Sequence, residues 1–293
     1  VGVDVVSYME ILMGEKSDRE VNSQVNVAVI MCLYKTDCIH HFRQAVNSIL
    51  NQDYKYLDFF VCQDGQVSAD LSLYMIDLAK REKNVRFIVN ESNQGFAFSL
   101  NRLIDTAMAL KRYDYIARMD GDDIAYPLRI SRQVESMEIF SDISVCGTYA
   151  REFGSNFAID KKILPVGHDE LVRYSISRCP FIHPSVMFRA SIFVSGVRYP
   201  LIHLAEDIGL WHALILAGHR FINIPEVLLD FRINEGTISR RKARGPLSDF
   251  KMRFIFLKKS GMISFTNIVL IFARLAFSLM PNGLIRFFYK YYR

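Results

Sequence analysis

A chain of 293 residues, 51% of them hydrophobic and with a formal net charge of +5, holds ample apolar material for one large α/β domain or one and a half smaller ones. Its five cysteines (Cys32, Cys38, Cys62, Cys146, Cys179) are scattered without a C-x-x-C pair, and its seven histidines lack H-E-x-x-H spacing. That excludes a disulfide framework and a zinc site and fits a reducing cytosol. The charge is unevenly placed: residues 240–293 hold twelve Lys or Arg against one acid, Asp249, leaving 24 basic and 30 acidic residues elsewhere. A mildly acidic body with a basic, aromatic tail points away from nucleic acid and toward a body held against an anionic surface.

Residues 1–24 are mixed and charged, without the apolar core of a signal peptide, and read as an extension with a short helix around Val5–Met13. Val25–Leu33 has the continuous apolar character of a buried parallel strand. Phe42–Leu50 follows at helical spacing, and Leu57–Cys62 is a second strand ending at Gln63-Asp64-Gly65. Leu71–Lys83 is helical, Val85–Val89 a third strand, Phe96–Leu110 a long helix entered through Asn93-Gln94-Gly95, and Tyr115–Met119 a fourth strand. A helix over Arg129–Phe140, strands over Ser144–Tyr149 and Ser185–Phe188, a helix over Leu204–Ala217 and strand and turn over Phe221–Phe231 complete the body. Strands alternating with helices at this spacing predict a mostly parallel central sheet with helices on both faces. Ligands bind outside the carboxyl ends of such strands, where Tyr34, Asp64 and Asp120 fall.

Asp120-Gly121-Asp122-Asp123, directly after the fourth strand, is the most informative segment. Carboxylates so close together repel unless a cation sits among them, and Mg²⁺ or Mn²⁺ binds one or two carboxylates together with substrate phosphates. A nucleoside diphosphate site is one reading; an acidic turn capping the next helix is the other.

The order of motifs resembles the inverting family 2 glycosyltransferases, with their nucleotide-diphospho-sugar-binding GT-A fold. It is carried by Val29–Tyr34, Ser48–Gln52, Asp64-Gly65, Asn93-Gln94-Gly95 with Asn101, Ala117–Asp123, Pro127-x-Arg129, His183–Met187, Glu206-Asp207 and Phe231–Ile233. The arrangement is most similar to bacterial enzymes that build O-antigens and capsules. The resemblance implies a GT-A domain over residues 25–240, with a nucleotide-binding half (25–125) and an acceptor half (126–240), followed by a basic amphipathic tail (241–293).

By position, the resemblance makes Asp64 the acceptor of a hydrogen bond from the base, usually uracil, and Tyr34 a wall of the base pocket. Asp120 would contact the ribose or the metal, and Asp122 would be the principal ligand of Mn²⁺ or Mg²⁺, while Asp123 orients its neighbours or caps a helix. Asn93, Gly95 and Asn101 match the loop and helix start near the donor, and Arg118 either meets the donor or pairs with a neighbouring acid. Asp207 aligns with the general base that takes the acceptor hydroxyl's proton, Glu206 stands beside it, and His183 shapes the acceptor side. Plain helix-start chemistry is the other reading of Glu206-Asp207. The implied donor is an NDP-sugar, favouring UDP, and the implied acceptor is a saccharide, possible also as a polyprenyl-diphosphate-linked form.

Departures from the family pattern fall at Cys32-Leu33-Tyr34-Lys35, where relatives carry Pro-x-Tyr-Asn, at Gln63 in place of Asp, and at Asn234 in place of histidine. The Gln-x-x-Arg-Trp signature of processive synthases is absent, so one sugar per encounter is expected. Glu235–Gly245 is basic and polar, either a lid bringing Arg240 or Arg241 to phosphate or a solvated linker. Met262–Met280 is apolar but contains Arg274, which is costly inside a bilayer, and Leu284–Arg293 is dense in aromatics and cations. The expectation is helices lying on the anionic inner face of the cell membrane, a cytoplasmic peripheral placement, with a helical pair packed on the domain as the alternative. An NDP-sugar nucleotidyltransferase would need a glycine-rich loop that Leu33–Cys38 lacks, and a phosphodiesterase a second metal site. A non-catalytic sugar-nucleotide-binding scaffold would not need both Asp122 and Asp207.

Overall fold

The computed structural model describes residues 25–234 and 245–281, together with Tyr8. The short helix expected around residues 5–13 and the 235–244 segment lie outside the described residues, apart from Tyr8 itself, which is helical and buried. Strand β1 (Val27–Leu33) is flanked in parallel by β2 (Leu57–Asp64) and β4 (Tyr115–Met119), and β3 (Val85–Asn90) adds in parallel to β2. Helices α1 (Ile39–Leu50), α2 (Ala69–Arg81) and α3 (Phe96–Leu110) connect them.

Side chains alternate across a strand, and β1 divides its residues between two cores accordingly. Val27, Val29, Met31 and Leu33 pack with Phe42, Val46 and Ile49 of α1 and Leu71 and Met75 of α2. Ala28 and Ile30 pack on the other face with Leu100, Leu103 and Ile104 of α3. Both faces are covered, which is why β1 reads as an unbroken apolar run.

The second half departs from the expected parallel order. The eight strands run β3-β2-β1-β4-β7-β6-β8-β5. Short β7 (Met187–Arg189) inserts antiparallel between β4 and β6 (Ile143–Phe153), while β6 pairs in parallel with β8 (Arg220–Arg232). The two-residue β5 (Ile124–Ala125) closes the edge antiparallel to β8. Ser185, expected in a strand, ends a 3₁₀ turn over His183–Ser185 instead. Its hydroxyl donates to Ile182 O at 2.8 Å and accepts from Thr148 N at 3.1 Å, so local side-chain bonding wins over strand pairing. The β6–β8 register slips around Pro225-Glu226, where Thr148 faces Ile224 but Tyr149 faces Val227. Proline cannot donate to a ladder, and such a bulge is where a sheet tolerates it.

Helices α4 (Arg129–Ile139), α5 (His168–Ser175), α6 (Ser191–Val194) and α7 (Glu206–Leu216) pack around this half. Trp211 of α7 is fully buried, its ring 4.9 Å from Phe181, 5.6 Å from Phe188 and 5.9 Å from His183. Beyond the sheet, α8 (Pro246–Lys259) and α9 (Phe265–Leu279) form a helical pair that docks on the body through Ile176, Phe256, Leu257 and Ile271. The packed alternative is thus realised on one side. On the other, Phe265, Val269, Phe272 and Leu279 form an exposed apolar stripe along α9. Arg274 is accommodated within the pair, bonding Asp249 Oδ2 at 2.6 Å and Ser177 O at 2.9 Å. Among the described residues, no helix is long and apolar enough to cross a membrane.

Replacing Trp211→Ala should lower unfolding stability by about 3–5 kcal/mol, read from denaturant titration, because it empties the centre of the second core.

Candidate functional site

The site is built on the carboxyl edge of the parallel half. Asp64 is the last residue of β2 and is buried, yet both its oxygens are engaged. Oδ1 accepts from Gln94 N (2.8 Å) and Asn90 Nδ2 (3.0 Å), and Oδ2 accepts from Gly95 N (2.9 Å). Asp64 therefore ties the 93–95 loop to the sheet. Gly65 has φ +77, and a Cβ there would lie 2.6 Å from Asn93 N, so the turn requires glycine. Gly95, with φ +94, leads directly into α3. Asn93 Nδ2 donates to Tyr34 Oη at 3.2 Å, which joins the loop to the end of β1.

The acidic loop lies beside this edge. Asp120, Asp122 and Asp123 each offer a carboxylate oxygen, all within 4.8 Å of one another. Asp123 is fully buried; burial, and then Asp120 and Asp122, push its carboxyl well above the usual carboxylate range. Its Oδ1 accepts from Arg232 N at 2.7 Å, whereas Oδ2 has no hydrogen-bond partner among the described residues. A buried carboxylate oxygen without a partner, beside two further carboxylates, is a place a hard divalent cation would fill. The all-oxygen donor set suits Mg²⁺ or Mn²⁺, and these residues fit such an ion. Asp123 does not cap α4, whose N-cap is Leu128.

Several motif residues hold this loop from behind. Arg232 Nε donates to Asp122 O at 2.7 Å and Nη2 to Gln44 Oε1 at 3.0 Å. Arg129 is fully buried and donates to Arg118 O at 2.6 Å and Gln133 Oε1 at 3.1 Å; burial pulls its guanidinium down to about 9. Gln52 donates to Tyr126 O (2.8 Å) and accepts from Ile130 N (3.0 Å), and Ser48 Oγ accepts from Ala125 N (3.0 Å). The Ser48–Gln52 and Pro127-x-Arg129 motifs thus clamp the chain leaving the acidic loop.

A second chain of contacts leads toward α7. Arg118, nearly buried, pairs with Asp120, while its guanidinium carbon sits 5.2 Å from the Phe96 ring centroid. Its Nε and Nη1 have no hydrogen-bond partner among the described residues. Phe96 meets the His183 ring edge-on at 6.0 Å, and His183 Nε2 lies 2.9 Å from Tyr199 Oη. Burial pushes the Tyr199 hydroxyl up; Arg118 opposes this, and Asp207 and Glu206 add to it. Asp207 is buried in the first turn of α7, with Oδ1 accepting its neighbour Ile208 N (2.7 Å) and Oδ2 accepting the Cys179 thiol (3.7 Å).

The structure brings Tyr34, Asp64, Asn93 and Gly95 into one loop cluster, and Arg118 and His183 into the chain between the acidic loop and Tyr199. Asn101 instead pairs both amide ends with the Tyr199 backbone, at 2.9 and 2.8 Å, and so fixes that tyrosine. Arg240 and Arg241 lie outside the described residues. Sequence reasoning gave no role to Arg129, Arg232, Phe96 or Tyr199. The first two stood inside motifs that it quoted, while Tyr199 carries no local signal.

Residues 28–195 match the family described as Glycosyl transferase family 2. A UDP-Gal:alpha-D-GlcNAc-diphosphoundecaprenol beta-1,3-galactosyltransferase of Escherichia coli is 27% identical over 90% of this chain and 94% of its own. The amylovoran biosynthesis glycosyltransferase AmsE of Erwinia amylovora is 26% identical over 90% of this chain and 97% of its own. Among solved structures, the mannosyltransferase PcManGT of Pyrobaculum calidifontis, in complex with GDP-Man and Mn²⁺, superposes with a TM-score of 0.62 at 13% identity. That likeness covers 94% of this chain and 81% of PcManGT. With this sheet order and a family match over residues 28–195 that takes in the acidic loop at the end of β4, the chain belongs to glycosyl transferase family 2 and has the GT-A fold.

Proposed function

We propose that this chain is a metal-dependent, inverting, non-processive glycosyltransferase of bacterial surface-polysaccharide synthesis. It moves one hexose or N-acetylhexosamine from an NDP-sugar, with UDP favoured, to a saccharide acceptor. The observation that carries this reading is the gathering of Asp120, Asp122 and Asp123 within 4.8 Å at the end of β4, from which a chain of contacts runs through Arg118, Phe96 and His183 to Tyr199. Polysaccharide synthesis draws support from AmsE, and a lipid-diphosphate acceptor from the Escherichia coli relative's name. GDP-Man in PcManGT keeps guanosine in contention.

Asp122 and Asp120 would hold Mn²⁺ or Mg²⁺, which would supply Lewis-acid stabilisation of charge on the leaving diphosphate. Tyr34 would line the base pocket, and Asp64 would serve it by fixing the 93–95 loop. In the displacement, the acceptor hydroxyl oxygen bonds to the anomeric carbon as the bond from that carbon to the phosphate oxygen breaks. The electron pair leaves with the nucleoside diphosphate, and the hydroxyl proton passes to Asp207 as general base. Glu206 and His183 would border the acceptor, and Arg118 the donor sugar. Domain limits of 25–240 for the catalytic unit and 241–293 for the tail fit this division of labour.

The exposed stripe of Phe265, Val269, Phe272 and Leu279, on a tail rich in Lys and Arg, supports seating on an anionic membrane surface, the cytoplasmic face of the cell membrane in this reading.

Calorimetric titration of UDP, GDP and dTDP, with Mn²⁺ and with EDTA, should give metal-dependent binding of one nucleotide, lost in Asp122→Ala. Binding unaffected by EDTA would overturn the metal assignment. Asp207→Asn should keep nucleotide affinity within about twofold while turnover falls on the order of 10²-fold or more, because an amide accepts no proton. Near-normal turnover would exclude Asp207 as the base. Replacing Val269 and Phe272 with Glu should abolish cosedimentation with phosphatidylglycerol vesicles; unchanged cosedimentation would sink the membrane-docking surface.

A further inference from the structure

The segment joining α5 to the Asp207 region is held by the C-terminal helical pair through unusually buried charge. Arg253 of α8 is 1% exposed, and its Nη1 donates to Ser175 O at 2.7 Å and Ile176 O at 3.1 Å. Arg274 of α9 donates to the next carbonyl, Ser177 O, at 2.9 Å. Both guanidinium groups converge on Asp249 Oδ2, Arg253 Nε at 3.0 Å and Arg274 Nε at 2.6 Å. Burial pushes the Asp249 carboxyl up, but the two arginines outweigh it and hold it at about 2.

Successive carbonyls at a helix end need partners, and here the tail supplies them. Beyond them, Cys179 touches Asp207 Oδ2 at 3.7 Å. The tail also grips α7 directly: His212 stacks on Phe256 at 3.9 Å with rings 4° from parallel, and its Nε2 lies 3.2 Å from Ser175 O. Segment 175–179, the helix carrying Asp207 and the tail therefore share one buried cluster.

We propose that Arg253, paired with Asp249 and Arg274, is a positioning residue for Asp207, acting through segment 175–179 and α7. The proposal rests on the reading of Asp207 as general base. Arg253 touches neither the acidic loop nor the 93–95 loop in any contact described, so its removal acts on the base and spares the nucleotide. The tail is then part of the catalytic apparatus as well as a candidate membrane contact.

The experiment uses the full chain and the UDP- or GDP-sugar whose nucleotide binds in calorimetry, with release of nucleoside diphosphate to water measured as turnover. Arg253→Met should keep nucleotide affinity and KM within about twofold while kcat falls on the order of tenfold to a hundredfold. Hydrogen exchange should rise in residues 175–179 and the first turn of α7 but not at 93–95. Arg253→Lys should recover part of the lost kcat. An unchanged kcat, or a joint loss of nucleotide affinity and kcat with exchange raised throughout, would overturn the proposal. If Arg253→Met does not fold, Arg274→Met, at a less buried position, takes the same comparison. Asp207→Asn run in parallel separates the two ideas: its retained turnover removes the base assignment, whereas its loss with a normal Arg253→Met removes only the positioning role.

Discussion

Three carboxylates confined within 4.8 Å of one another are an electrostatic problem that the surrounding fold is arranged to contain. Arg118 pairs with Asp120, Arg232 bonds Asp123 through its backbone N–H and Asp122 through its guanidinium, and Arg129 holds the carbonyl of Arg118 from beneath. Three arginines from three separate elements thus frame one loop. Among the described residues the frame leaves Asp123 Oδ2, in the interior, without a hydrogen-bond partner. The shape of the carboxylate cluster therefore depends on β4, α4 and β8 together.

Much of this was legible in the amino-acid order because the chemistry is local. The strand-then-acid pattern at 115–123 and the Asp-Gly turn at 64–65 put carboxylates at strand ends by simple periodicity. β1 declared itself by being apolar on both faces. What escaped was relational. Tyr199 sits in a loop with no motif, and its importance comes from Asn101 and His183 meeting there. Asn101 looked like a donor contact because of its place in α3, whereas its amide satisfies a backbone across the domain. Likewise β7 is three residues long, too short for its direction in the sheet to be read from alternation.

The tail shows how one residue can mislead in isolation. An arginine in the middle of an apolar helix argues against burial in lipid. It did not reveal that Arg274 was already committed to Asp249 and Ser177. The helix accordingly has two characters, a charged seam toward the body and an apolar stripe away from it. Docking on the domain and presenting a greasy surface are compatible because they use opposite faces.

The bulge at Pro225-Glu226 gives β8 the character of a ruler. Together with a second slip between Tyr149 and Ala150, it sets the rest of β8 forward against β6, and the combined offset is carried to Phe153 and Arg232 at the far end. Each residue of strand advances about 3.3 Å and alternates faces, so a different offset would carry the Arg232 amide out of reach of Asp123. The distance between a proline in mid-strand and the acidic loop is thus measured out in backbone, and the phase of one strand tunes a charge cluster contributed by another.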